Sequence, residues 1–125
     1  MGMSIETIKT FKDLNAWKHA HEVVLETYRI TKNFPNDEQF GLTNQMRRAS
    51  VSVTSNIAEG FGRLTKKDKA HFYSIAKGSL FELQSQLQIA YDLQYLDKQF
   101  FEKINKDIER TLKLTYGLIK SAMDH

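Results

Sequence analysis

The sequence predicts an all-α, single-domain protein, an antiparallel up-down-up-down four-helix bundle. Three observations carry this reading. Apolar residues recur at three- and four-residue spacing through most of the chain, with no strand-like alternation long enough to matter. Breaks at Pro35, at Gly60–Gly62 and at Leu96–Asp97 divide it into four segments joined by short connections, which make sequence neighbours antiparallel. One proline and six glycines in 125 residues leave those segments long.

In chain order, residues 1–12 read as a flexible lead-in, followed by bundle over 13–125 with helices near 13–33, 37–61, 66–93 and 98–123. Asp13 is placed to cap the first helix, whose apolar stripe is Leu14, Trp17, Val24, Tyr28 and Thr31, with Ala20 and Thr27 beside it. Pro35 ends that helix, because the residue before a proline is pushed out of the α region. Asn36 or Asp37 is then available to cap the second. Gly60 and Gly62 flank its end, where a positive φ is often needed. Thr65 and Asp68 have the spacing of a capping box for the third helix. Its expected stripe is Phe72, Ala76, Ser79, Leu83, Leu87, Ala90 and Gln94. Gly78 sits mid-helix, where glycine costs ~1 kcal/mol against alanine. That makes sense where another helix passes close by. Asp97 caps the fourth helix, which carries Phe101, Ile104, Ile108, Leu112, Thr115, Ile119 and Ala122.

The second segment is unlike the others. At about 100° per residue, Leu42, Met46, Ala49, Val53, Ile57 and Gly60 form one apolar stripe. Phe40, Val51 and Ala58 form a second strip well round from it. Between them runs a seam of Gln45, Arg48, Ser52, Ser55, Asn56 and Glu59, ending near Arg63. A surface helix needs only one apolar face. Two faces and a seam of short hydrogen-bonding groups imply a helix covered on both sides, with a buried polar network inside and Glu82 of the third helix as partner for the seam cation.

Composition narrows the chemistry. Apolar residues are 41% and charged residues 26%, as in soluble globular chains. Absence of cysteine excludes disulfides and thiolate chemistry and points to the cytoplasm. No apolar run approaches the ~20 residues needed to span a bilayer, so no membrane role is expected. The first residues lack the apolar core of a signal peptide. His19, His21, His71 and His125 have no metal-ligand spacing, and Gly60-Phe61-Gly62 lacks the strand before and the Gly-Lys-Ser/Thr after that a phosphate loop requires. No metal, cofactor or catalytic residue is expected. The competing enzymatic reading would use Arg48, Glu59 and Glu82 as a buried Arg/Glu cluster, since paired carboxylates can exchange protons.

Three stretches carry a resemblance: FKDLNAWKHAHEVVLETYRITKNFP, FGLTNQMRRASVSVTSNIAEGFGR and AKGSLFELQSQLQIAYDLQYL. Within them stand Phe40-Gly41-Leu42, Gln45, Arg47-Arg48-Ala49, Ser52, Asn56-Ile57-Ala58-Glu59-Gly60, Gly62-Arg63, Gly78-Ser79 and Glu82-Leu83. Together they resemble the four-helix bundle family encoded in intervening sequences of bacterial 23S rRNA genes, the S23-type ribosomal-associated proteins. The resemblance implies an antiparallel bundle assembling as a ring of five subunits, in a family without an established enzymatic activity. The accessory proteins of diversity-generating retroelements are similar in fold, and those bind nucleic acid and a reverse transcriptase.

The net charge of +3 is only mildly basic. Arg63, Lys66, Lys67 and Lys69 nevertheless cluster at the second turn, and with Arg47 they are the candidate nucleic-acid contacts. Phe40, Val51, Ala58, Phe61 and Phe81 are the candidate subunit interface. Trp17, Tyr28, Phe72 and Phe101 fall on expected core stripes and are read as packing. The resulting expectation is a non-catalytic homo-oligomer that binds RNA or an RNA-bound protein, the alternative from another class being a purely structural ring.

Overall fold

A computed structural model describes residues 7–123. Four helices account for most of them: α1 (Asn15–Thr31), α2 (Leu42–Phe61), α3 (Lys66–Asp92) and α4 (Lys98–Met123). Short 3-10 turns at Phe11–Asp13 and Asn36–Glu38 precede α1 and α2, and no strand occurs among the described residues. Each helix packs against its neighbours in sequence, and α1 closes the circuit against α4. No helix of the described residues is long and apolar enough to cross a membrane.

The helix ends depart from the expected caps for local reasons. Asp13 caps the preceding turn instead of α1: its carboxylate accepts from Lys9 and Thr10 N–H at 2.8 and 3.0 Å, while Thr10 accepts from Lys12. That ordered turn begins within the expected lead-in, of which residues 1–6 lie outside the described residues. Asn36 and Asp37 do not cap α2, because the chain makes a 3-10 turn there and α2 starts later, after Gly41. Glu38 takes over, its Oε1 accepting from Leu42 N–H at 3.1 Å and its Oε2 from the Tyr95 hydroxyl at 2.7 Å. Thr65 and Asp97 cap as expected, accepting from Asp68 and Phe100 N–H.

Neither Gly60 nor Gly62 adopts a positive φ; Gly62 closes α2 at φ −81°. Gly60 serves instead as a close-approach point, where a Cβ would lie 2.7 Å from the Tyr73 ring. The left-handed position is Gln94, with φ 66°, which ends α3. Gln94 therefore leaves the helical stripe on which periodicity placed it.

The core takes the first stripe of α2 entire: Leu42, Met46, Ala49, Val53, Ile57 and Gly60 are all buried. From α3 come Tyr73, Ala76, Leu80, Leu83, Leu87 and Ala90, so Tyr73 and Leu80 hold positions that the expected stripe missed. On α1 the buried face includes Ala20, Thr27 and Thr31 as expected, but Ala16, Val23 and Ile30 complete it, while Leu14, Trp17 and Val24 are half-buried and Tyr28 is exposed. Burying side chains the size of Leu80, Leu83 or Ile108 contributes ~1.5–3 kcal/mol each. The buried threonines of α1 and α4 join them because each hydroxyl is satisfied within its own helix: Thr27 donates to Val23 O at 2.7 Å and Thr115 to Thr111 O at 2.8 Å.

Candidate interaction surface

The outer face of α2 and α3 holds most of the residues singled out by sequence. The seam is not a buried network in this chain: Gln45, Arg48, Ser55, Glu59 and Glu82 are exposed, and Ser52 and Asn56 are half-buried. The physical reason is that α2 is covered by its own chain on one stripe, leaving the opposite side to solvent. A bonded centre remains. Ser52 and Ser79 hydroxyls meet across the helix pair at 2.9 Å, and Asn56 Nδ2 donates to Ser52 O at 2.8 Å and to its Oγ at 3.1 Å.

The seam charges do not assemble as a cluster. Glu59 pairs with Arg63 one turn on, at 2.7 Å, and lines a depression with Phe11, Ala58 and Gly62. Arg48 and Glu82 line a different depression with Gln45, Ala49 and Ser52, yet form no ion pair, and neither has a hydrogen-bond partner among the described residues. The trio required by the enzymatic reading is thus divided between two places. Among the described residues no group of three or more His, Cys, Asp or Glu could hold a metal ion.

Several basic candidates are engaged. Lys69 Nζ donates to Phe61 O at 2.7 Å and to Gly60 O at 3.4 Å, capping the carbonyl end of α2, where a cation is favoured. Arg63 lies over the Phe72 ring at 4.4 Å while it holds Glu59. Lys66 and Lys67 extend from the exposed first turn of α3, beside the fully exposed Leu64. Arg47 stands apart, sixteen residues before Arg63 and so ~24 Å along the α2 axis. Its Nε donates to Thr31 Oγ1 at 2.9 Å and its guanidinium lies 4.7 Å from the Tyr28 ring centroid.

Most interface candidates are open. Phe40 is 88% exposed, Phe81 46% and Val51 39%, with Ile75 and Ile89 exposed on the same side of α3. Ala58 and Phe61 are half-buried, Phe61 beneath Lys69. Gly78 lies in the middle of this face, and a Cβ built there would meet nothing within 4 Å.

One polar cluster built on a buried carboxylate escaped the sequence reading. Glu26 of α1 is 8% exposed, and Lys103 Nζ bridges its Oε2 at 2.7 Å to Asp107 Oδ2 at 2.9 Å, tying α1 to α4. Burial pushes the Glu26 carboxyl up, against the pull of Lys103, and the neighbouring Asp107 pushes it further. The available signal was a glutamate set among Val23, Thr27 and Ile30 on the core side of α1.

A family model described as "23S rRNA-intervening sequence protein" matches residues 12–117. The chain belongs to this family. Among solved structures, the 23S rRNA-intervening sequence chain is similar to a Bacteroides thetaiotaomicron protein described as of unknown function from the S23 ribosomal protein family. The two are 24% identical over 87% of this chain and 98% of that one, with a TM-score of 0.79, a likeness of fold. No curated protein matches this member of the family.

Proposed function

We propose that the chain is an antiparallel up-down-up-down bundle that assembles with copies of itself into a ring, most simply of five. It acts without catalysis as a cytoplasmic scaffold for RNA or an RNA-bound protein. The antiparallel order is supported by register: Ser52 meets Ser79 while Gly60 meets Tyr73, and Gln84 meets Asn105 while Lys77 meets Tyr116. In both pairs one helix ascends as the other descends.

The observation that carries self-association is the uncovered face of α2 and α3. A glycine in mid-helix costs ~1 kcal/mol, and within this chain Gly78 returns no close contact for it. Around it stand Ile75, Phe81 and Ile89, an apolar face of the kind that marks an interaction site. A second copy packed over Gly78 accounts for both features. The RNA part of the reading draws on the rRNA context in the family's description and on exposed Lys66 and Lys67, which a ring would repeat along one rim.

The test is light scattering with and without added RNA, at low and moderate salt. Wild type should have the mass of several subunits and gain RNA that salt releases. Phe81→Glu should dissociate it while circular dichroism shows helicity retained. A monomeric wild type refutes the assembly reading. RNA binding unchanged by charge reversal at Lys66, Lys67 and Lys69 refutes the rim.

A further inference from the structure

We infer that Glu82 of one copy docks onto Arg47 of the next, so that each subunit offers an acidic and a basic half-site on opposite flanks of α2. The inference rests on the self-association proposed above and names the contact that gives it direction.

Arg47 is built to receive a carboxylate. Its Nε is committed to Thr31 and its Cζ sits over the Tyr28 ring, while no acceptor reaches its two terminal nitrogens among the described residues. A guanidinium fixed on one edge presents the other as a ready two-pronged donor, with little side-chain entropy left to lose on binding. It lines a depression with Tyr28, Asn44 and Val51, whose apolar atoms would be covered together with it.

Glu82 has the complementary state. It is exposed and without a hydrogen-bond partner among the described residues, and Phe81 is exposed beside it. Its depression and that of Arg47 adjoin, sharing Arg48 and Ser52. Arg48 therefore lies on the same flank as Glu82. Arg47, about 100° further round α2, opens toward α1. A second copy laid along this face brings its Glu82 over Arg47, its Phe81 onto Val51 and Tyr28, and Gly78 into the closest part of the contact. A carboxylate is preferred to phosphate at Arg47 because Tyr28 and Val51 beside it offer apolar surface for Phe81 to cover, while Arg48, the other basic residue of the depression, also lines the one that holds Glu82.

Charge exchange tests the pairing, read as the subunit concentration at half-assembly in light scattering and sedimentation. Glu82→Arg and Arg47→Glu should each raise that concentration by about a hundredfold, and the two together in one chain should return it to within about tenfold of wild type. Should Arg47→Glu lose helicity, Glu82→Arg must still be at least tenfold worse than Glu82→Gln, since reversal sets two cations face to face. Assembly by wild type without rescue by the double exchange overturns the pairing and leaves the scaffold reading intact. A wild type that stays monomeric overturns both. Loss of RNA binding by Arg47→Glu with assembly unchanged overturns the pairing in favour of a phosphate ligand.

Discussion

Replacing Gly60 by alanine should destabilise the fold, although alanine is the better helix former. The added Cβ would lie 2.7 and 2.8 Å from Tyr73 Cε1 and Cδ1, and 3.2 Å from Phe72 Cβ. Carbon atoms in good contact sit ~3.5–4.0 Å apart, so either the ring or the helix pair must give by nearly an ångström. Tyr73 is buried and cannot swing clear. Overpacking of this kind costs ~1–3 kcal/mol, against ~1 kcal/mol regained from helix propensity, for a net loss of about 1 kcal/mol. Gly117→Ala is the matched control, because a Cβ there meets nothing within 4 Å and the propensity gain stands alone. The two variants should therefore differ by about 2 kcal/mol in urea unfolding followed by circular dichroism at equal protein concentration. Equal stabilisation by both would refute the close approach of α2 and α3 at Gly60.

Three pH dependences follow from the buried, paired and capping carboxylates. Glu26 is held above its ordinary pKa by burial, so its contribution is fully present at acid pH and is lost as pH rises through its folded value; Glu26→Gln should flatten that fall in unfolding midpoint with rising pH. Asp107 beside it is lowered despite its burial, chiefly by the Lys103 ammonium, and contributes the opposite slope, lost as pH falls. Glu38 is lowered by the Tyr95 hydroxyl and by Leu42 N–H, so its cap should weaken as pH falls through its folded value. Tyr95→Phe should reduce that acid sensitivity, measured as the change in unfolding midpoint with pH; an identical acid slope in wild type and variant would exclude the hydrogen bond as its source.

The residues of α2 show where sequence reasoning succeeds. Its core stripe was legible in full, because a helix with one fixed period sorts its side chains by angle alone. The second strip was equally legible as apolar. Whether its residues are covered was not, since burial depends on what lies opposite: Phe40 and Val51 are open in the single chain. The same limit applies to Arg48 and Glu82. Their residue types suggested a pair, but pairing is a distance between two helices, and periodicity carries none. On α1, a shift of less than a turn exchanged Tyr28 for Ile30 in the core, because the adjacent Val23 and Val24 allow either stripe.

By itself the sequence determined the class, four helices and their breaks, since these rest on local period and on proline and glycine. Tertiary structure decided the rest. Gly60 is required by the Tyr73 ring and not by its own backbone angle. Lys69 is a cap for α2 as well as a surface charge. Glu26 is tolerable in the interior because Lys103, far along the chain, reaches it. Each depends on a neighbour in another helix, and that dependence leaves no local periodic signal.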